Sequence, residues 1–343
     1  MNEAFRWAAL GLGLALFVAT SISMVKTLIV PRRAWSLLTS LATGVVVRCF
    51  YAVARRIRND DLADRFLGFL GPVAVIGTTV ALLGFYSIAF ALMLFGVTDA
   101  SLGRTLREAG SSVTTLGFES TGGVGPTVID VLAGVSGLVV IALTIAYLPT
   151  LYVILRDRET PVKLVSGRVG PPVTGVRVLA EHYETQASSE LAGLYRSWEI
   201  WAAQVADTHT KYPILLHFRL PRAESRWLAT FLAMLDAATL QLTLDPSAPV
   251  GAARMWLRVG EACLADIRHT LSLDDTDPTG MTEPDRADLE WMAAELRDAG
   301  CAVREVDDAI VEAWRHARRR YAPALCQVAD AIMAPGDPWT STD

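Results

Sequence analysis

Three long apolar stretches constrain this chain more than any other feature of its sequence. They run from Trp7 to Met24, from Phe66 to Val97 and from Val131 to Leu155. None of the three contains a charged residue. A helix needs about 20 mostly apolar residues to cross the roughly 30 Å of hydrocarbon in a bilayer. The sequence therefore predicts an integral membrane protein with at least three spanning helices.

The rest of the chain has the composition of a soluble protein. Mean hydropathy is +0.34 over 343 residues, and nearly all of the apolar excess lies before residue 156. The net charge of −5 gives no reason to expect a nucleic-acid partner. The scattered cysteines and histidines form neither CxxC nor HExxH, so we expect no resident metal and no disulfide framework. Without a P-loop, GxSxG or other catalytic pattern, we expect neither an enzyme nor an organic cofactor.

Arginines indicate the orientation of the spans. Within residues 35–65, the stretch from Ser36 to Ala54 is apolar apart from Arg48, and it is flanked by further arginines: Arg32, Arg33, Arg55, Arg56 and Arg58. The segment is either an interfacial helix on the cytoplasmic face or a fourth span, and the positive-inside rule favours the first. Both interpretations place residues 55–65 in the cytoplasm. The second apolar stretch therefore runs outward, and the third returns inward.

We expect the chain to be divided into six parts. They are an N-terminal transmembrane helix (1–34), a basic interfacial or spanning helix (35–65), a two-span pore domain (66–157), a linker (158–174), a helical cytoplasmic domain (175–334) and a disordered tail (335–343). Apolar residues recur at helical spacing in the cytoplasmic domain, which predicts about five helices. These lie at 188–206, 224–242, 250–271, 284–299 and 303–333. Six tryptophans are expected in the core of this domain: Trp198, Trp201, Trp227, Trp256, Trp291 and Trp314.

The outer segment between the second and third apolar stretches, residues 98–130, has an internal pattern. Asp99 can cap a short helix that runs to about Val113, with its carboxylate at the positive end of the helix dipole. A polar run follows, and then the glycine-rich stretch 122–125. Pro126 predicts the start of a new helix, because proline is favourable at a first helical position.

The hexapeptide Val113-Thr114-Thr115-Leu116-Gly117-Phe118 resembles the V-T-T-V-G-Y-G signature of pore-loop potassium channels. It follows a candidate pore helix, on the outer side and between two spans, which is where that family keeps its signature. The resemblance covers residues 66–155, less than a third of the chain. It implies an all-α membrane protein with a potassium-channel-like span–pore helix–filter–span unit, joined here to an extra N-terminal span and a helical cytoplasmic domain. The first helix and the following Pro31-Arg32-Arg33 also resemble an extra first span of bacterial channel-like proteins.

The resemblance implies a tetrameric cation channel, to which each chain contributes one loop. A dehydrated cation needs oxygen ligands in place of water, and rings of backbone carbonyls supply them. The permeant monovalent cation, with potassium expected, would bind to a filter formed by Thr115, Leu116, Gly117 and Phe118. Gly117 would permit the positive φ that turns successive carbonyls toward the pore axis.

The sequence departs from the signature in the outer half of the filter. Glu119 replaces the second filter glycine, and Ser120 stands where an aspartate is common. Arg107 and Glu108 occupy pore-helix positions where the family often has aromatic residues. A glutamate held at φ > 0 costs on the order of 1 kcal/mol, so we expect a reshaped outer filter. The resemblance therefore implies cation passage without strict potassium selectivity.

Glu119 has two interpretations. Four copies would form an acidic ring at the pore mouth, joined by nearby Asp99, Glu108 or Asp130, and such rings concentrate cations. The alternative is a solvated loop carboxylate without a role.

The third apolar stretch contains candidate hinge residues. Gly134 and Gly137 would either bend a pore-lining helix or let helices pack closely, and close packing is the more common use of glycine in membranes. Pro149 removes a helix hydrogen bond and predicts a kink, with a gating role as a hypothesis.

Two functions remain open at this stage. The first is the tetrameric channel in the cell membrane, with the lipid bilayer and further copies of the chain as partners and the C-terminal domain in the cytoplasm. The second is a non-conducting membrane scaffold or sensor on a channel-like fold, acting through its helical domain.

Overall fold

The computed structural model describes residues 3–29, 37–219, 227–246, 250–274 and 285–334. Within these ranges the chain is helical and contains no strand, as the sequence predicts. The features predicted for Pro31-Arg32-Arg33 and for the tail 335–343 lie outside them. The helices in chain order are α1 (Glu3–Met24), α2 (Leu37–Ala54), α3 (Asp60–Leu67), α4 (Leu70–Val97), α5 (Leu102–Val113), α6 (Val124–Val169), α7 (Gly175–Glu184), α8 (Leu191–Lys211), α9 (Trp227–Leu244), α10 (Val250–Leu271), α11 (Arg286–Asp298), α12 (Asp308–Arg318) and α13 (Ala322–Ala331).

The chain folds as two compact units. The first comprises Met1–Arg56 and Phe69–Val153, and the second comprises Ile57–Gly68 and Ile154–Asp343. The division after Val153 lies close to residue 157, where the sequence predicts the end of the two-span region.

In the described part of the chain, four helical segments are long and apolar enough to cross a membrane. Three of them, Glu3–Ile29, Leu62–Val97 and Val124–Val169, contain the three predicted spans. The fourth is α9, which the sequence predicts as a helix of the C-terminal domain. Of its apolar window, 83% is buried inside the protein, and a helix that is apolar all round is typical of the centre of a domain. The long apolar helices therefore fit a membrane protein.

Helix α2 is the segment with two interpretations. It has 18 residues, or about 27 Å at 1.5 Å per residue, and its longest apolar segment is shorter than those of the four candidates. It packs against α4, where the hydroxyls of Thr43 and Thr78 lie 3.0 Å apart. A Cβ on Gly77 would lie 3.0 Å from Val46. These contacts suit an interfacial helix or a span, so the choice between three and four spans stays a prediction.

Small residues bring α1 and α4 into close contact in the first unit. A Cβ on Gly13 would lie 2.7 Å from the carbonyl oxygen of Ala89, and one on Gly96 would lie 2.8 Å from Leu10. Membrane helices, which gain little from apolar burial against lipid, associate through such close backbone approaches.

The second unit has an aromatic core. Trp198, Trp201 and Trp256 are at most 2% exposed, and Phe231 packs between the rings of Trp201 and Trp256. Of the six tryptophans predicted to be buried, Trp291 is an exception at 56% exposed. It lies on α11 opposite the buried face, which consists of Leu289, Ala293 and Leu296.

The second unit differs from the sequence prediction in three places. One is α7 (Gly175–Glu184), which is not among the five predicted helices. The linker 158–174 is helical as far as Val169, because Val162 and Val165 extend the buried face of α6 into the core. Gly170, with φ +73°, ends the helix. The single helix expected at 303–333 is two helices, α12 and α13. Pro323 explains this break, since proline fits a first turn but not a helix interior.

A buried charge pair, Arg158 and Glu159, connects the C-terminal part of α6 to the rest of the second unit. Arg158 is 2% exposed, and its guanidinium donates to Glu159 Oε1 (2.7 Å) and to the carbonyls of Leu215 and Phe218 (both 3.0 Å). It also contacts His209 Nε2 at 3.1 Å. A guanidinium only donates, so this Nε2 accepts and the ring is neutral. Burial first, and then the positive charge of Arg158, hold the pKa of His209 well below its usual value.

Candidate functional site

Helix α5 opens the segment that connects α4 with α6. Ser101 precedes it with the extended backbone of an N-cap (φ −68°, ψ 153°), so the prediction that Asp99 caps this helix is wrong. Asp99 instead accepts a hydrogen bond from Arg6 at 2.7 Å and is otherwise exposed. The sequence could not indicate this pairing, since the two residues are 93 positions apart.

The C-terminal end of α5 lies directly against α6. A Cβ placed on Gly137 would lie 1.8 Å from the carbonyl oxygen of Val113, the last residue of α5. The preceding residue, Ser112, donates to Asp130 Oδ1 at 2.7 Å. A Cβ on Gly134, one turn from Gly137, would lie 3.4 Å from the Ser112 carbonyl. Only a glycine at position 137 permits this approach, and it fixes where the following loop begins.

Residues 115–118 have an unusual backbone. Thr115 and Gly117 adopt positive φ values of +58° and +68°. The sequence predicts the value at Gly117 but not the one at Thr115, where a residue with a branched Cβ is strained by roughly 1 kcal/mol or more. Strain of this kind persists only where the surrounding structure enforces it.

Ser111 holds the amide side of this loop. Its carbonyl accepts from the N–H groups of Leu116 (2.9 Å) and Gly117 (3.4 Å), and its hydroxyl accepts from the N–H of Phe118 (2.8 Å). In contrast, the carbonyl oxygens of residues 115–118 accept no hydrogen bond from any described part of the chain. The loop thus presents a short run of backbone oxygens that are free to bind water or a cation.

Two apolar side chains of the predicted filter are exposed to solvent in the single chain. Leu116 is 70% exposed and Phe118 is 62% exposed, both large apolar residues in a loop. Their exposure in a single chain leaves apolar area for another surface to bury.

Glu119 does not have the strained backbone that the sequence analysis considered. Its φ is not positive, and the left-handed positions lie further on, at Gly122 (+73°) and Gly123 (+96°). The carboxylate accepts from Arg104 Nε at 3.0 Å. This ion pair is partly exposed, and its net contribution to stability is about 0–1 kcal/mol.

Three other carboxylates were predicted to lie beside Glu119 at a pore mouth. In the single chain Asp99 pairs with Arg6, Glu108 accepts from Thr121 and Asp130 accepts from Ser112, and the carboxyl groups of Glu108 and Asp130 also lie close enough to interact with each other. They are therefore engaged in holding α1, the loop and α5.

Glu108 holds the outer end of the loop, a role that the sequence analysis missed. Its side chain is fully buried, and Oε1 accepts from the N–H (2.7 Å) and the hydroxyl (2.8 Å) of Thr121. The neighbouring Arg107 is exposed. No local signal indicates the contact, because Glu108 and Thr121 are 13 positions apart and lie on opposite sides of the loop.

We expect Glu108→Ala to release the outer end of the loop. Hydrogen bonds to a charged acceptor contribute about 1.5–3 kcal/mol each, so amide hydrogen exchange in residues 119–123 should accelerate at least tenfold. Glu108→Gln keeps an acceptor oxygen and should have a smaller effect. Arg107→Ala is the matched control on the same helix, and equal exchange in all three variants would contradict the role assigned to Glu108.

The candidate hinge residues Gly134, Gly137 and Pro149 all lie within the continuous helix α6. Gly137 is a site of close packing against Val113, which is the more common of the two roles considered for it. Bending at any of the three positions stays a prediction.

Comparison of the chain with protein families, with curated proteins and with solved structures found no match. Among the residues described, no three His, Cys, Asp or Glu side chains are grouped as metal ligands. The function must therefore be argued from the loop and its surroundings.

Proposed function

We propose that this chain is one subunit of a tetrameric pore-loop cation channel of the cell membrane, with its C-terminal domain in the cytoplasm. The observation that carries the proposal is the backbone of residues 115–118. The N–H groups of residues 116–118 donate to Ser111 and that of Thr115 donates to the Ser112 carbonyl, whereas the carbonyl oxygens of residues 115–118 have no donor in the described chain. Such oxygens can replace the hydration shell of a monovalent cation.

The exposed filter side chains support an assembly of several copies. One chain has one loop, and a ring of carbonyls requires the same loop from each of several chains. Leu116 and Phe118, which are mostly exposed in one chain, would be covered by the neighbouring copy. The number four comes from the resemblance to potassium channels. Native mass spectrometry in mild detergent tests it, and a stable monomer would contradict the proposal.

Potassium is the expected permeant ion, with other monovalent cations also passing. The inner part of the filter, Thr115 to Phe118, resembles the family signature, whereas the outer part has Glu119 paired with Arg104. In the proposed pore the Thr-Leu-Gly-Phe-Glu filter therefore has an inner ring of carbonyls and an outer ring of partly neutralised carboxylates.

We expect Glu119→Gln to lower single-channel conductance at low ionic strength, because it removes negative charge from the proposed mouth. Arg104→Gln should raise the conductance, because it leaves the carboxylate of Glu119 unpaired. Both effects should fade near 1 M salt, where the Debye length falls to about 3 Å. Recordings in planar bilayers at several salt concentrations measure this. Identical low-salt conductance in the two variants would contradict a place for Glu119 at the mouth.

A non-conducting scaffold or sensor is the second candidate, and the charge of α5 favours it. Arg104 and Arg107 are both exposed on this helix, and in the described part of the chain Arg107 has no ion-pair partner. Four copies of these two arginines around a pore would oppose cation entry. A folded tetramer without ion flux would support this candidate and make the helical domain the functional part.

A further inference from the structure

A cavity of about 450 Å³ lies within the second unit, between the C-terminal part of α6, α7 and the beginning of α8. This volume falls in the range of about 300–1,000 Å³ typical of small-molecule sites. The apolar lining consists of Pro161, Leu164, Val165, Leu194 and Trp198. Val165 and Trp198 are 4% and 1% exposed, so this part of the wall belongs to the packed core and is held in place.

His182 supplies a buried polar group to the cavity. The residue is 6% exposed and lines the cavity, and its Nδ1 lies 2.7 Å from the carbonyl oxygen of Val178. A carbonyl only accepts, so Nδ1 carries the hydrogen, and in the neutral form of the ring Nε2 is an acceptor. Nε2 has no partner in the residues that the structure describes.

Two opposite charges line the same cavity without neutralising each other. Arg168 and Glu190 are both exposed, and neither has an ion-pair partner within the described ranges. Glu190 also precedes α8 without capping it through its side chain. An apolar cavity with one unpaired cation and one unpaired anion fits a ligand that carries both charges itself.

We propose that this cavity binds a free α-amino acid with an apolar side chain, aliphatic or aromatic. The guanidinium of Arg168 suits the carboxylate, which it can bind through two parallel hydrogen bonds. The ammonium group can donate to the carboxylate of Glu190 and to Nε2 of His182. The apolar side chain would pack against Leu194 and Trp198. The proposal rests on the second unit alone and is independent of ion conduction.

Gly193 provides a way to fill the cavity without disturbing the fold. It lines the cavity as the third residue of α8, and a Cβ there would meet no atom within 4 Å. The Cβ of a methionine at this position therefore meets open space, and because Gly193 lines the cavity we expect the rest of the side chain to enter the volume assigned to the ligand. Gly251 is a matched control, since it is exposed near the start of α10 and a Cβ there also meets nothing within 4 Å.

The test is calorimetric titration of the full-length protein in detergent with L-leucine and L-phenylalanine, and with their amides and N-acetyl derivatives. We expect the free amino acids to bind, and each derivative to bind at least about tenfold more weakly, since each lacks one of the two charged groups. Arg168→Gln should weaken binding of the amino acid but not of its amide, and Glu190→Gln should do so for the amino acid but not for its N-acetyl form.

Gly193→Met should abolish binding, whereas Gly251→Met should leave it unchanged. The proposal is overturned if the folded wild-type protein binds neither amino acid at millimolar concentration. It is also overturned if the amides and N-acetyl derivatives bind as tightly as the amino acids, or if Gly193→Met binds like the wild type. None of these results depends on whether the protein conducts ions.

Discussion

Gly137→Ala is expected to separate the end of α5 from α6 and to abolish ion flux. The new methyl group would lie 1.8 Å from the carbonyl oxygen of Val113, far inside van der Waals contact. Backbone cannot move aside as a flexible side chain does, so the cost should reach about 3 kcal/mol, at the upper end of overpacking effects. The loop that begins at Thr114 would then lose its fixed starting point. Thermal unfolding and flux into liposomes measure the two consequences.

Gly134→Ala is the matched control for this substitution. It lies one helical turn away, and its methyl group would be 3.4 Å from the Ser112 carbonyl, an ordinary contact that needs little adjustment. Alanine also favours a helix over glycine by about 1 kcal/mol, so this variant should be as stable as the wild type or slightly more stable. Equal stability and equal flux for Gly137→Ala and Gly134→Ala would contradict the close packing of the end of α5 against α6.

Arg158→Met is expected to lower the free energy of unfolding of the helical domain by about 3–5 kcal/mol, the usual cost of removing one partner of a buried ion pair. Glu159 is 3% exposed, and its Oε2 already has no partner in the described chain. The substitution would leave the carboxylate uncompensated. Denaturant unfolding followed by tryptophan fluorescence measures the loss, because Trp201 donates to the Arg158 carbonyl and Trp227 lies 4.9 Å from the guanidinium.

Two further variants separate charge burial from other effects of the Arg158 substitution. Arg156→Met removes an exposed arginine two positions earlier, whose pair with Asp157 is largely solvated, and should cost less than about 1 kcal/mol. The double variant Arg158→Met/Glu159→Leu removes both buried charges and should recover part of the loss. A cost for Arg158→Met as small as that for Arg156→Met would contradict the account of this cluster.

The helices that are long and apolar enough to cross a membrane could be predicted from the sequence, because the bilayer imposes a simple requirement on length and composition. The end of α6 could not be predicted in the same way. Arg158, Glu159 and Pro161 give this part of the chain the composition of a connector. The helix continues because Val162 and Val165 are buried in the core and because Arg158 has buried partners 51 to 60 positions away. Pairings over such distances leave no mark on local composition.

The candidate site was predictable only where backbone conformation dictates residue type. The positive φ at Gly117 follows from the glycine itself, whereas the same conformation at Thr115 is imposed by the surrounding structure. The hydrogen bonds that Thr121 donates to Glu108 depend on the folded loop. A glutamate in a short helix gives no indication of such a distant partner. Sequence reasoning therefore located the loop but not the side chains that hold it.

The most direct test of the central claim is potassium and sodium flux into liposomes that contain the purified wild-type protein, Gly117→Ala or Gly125→Ala. At both positions an alanine Cβ meets nothing within 4 Å, but only Gly117 has positive φ, so only Gly117→Ala alters the carbonyl run. We predict cation flux through the wild type and Gly125→Ala, with potassium favoured over sodium, and its loss in Gly117→Ala. No flux from a folded wild-type tetramer, or flux unaffected by Gly117→Ala, would contradict the proposal of a pore at this loop.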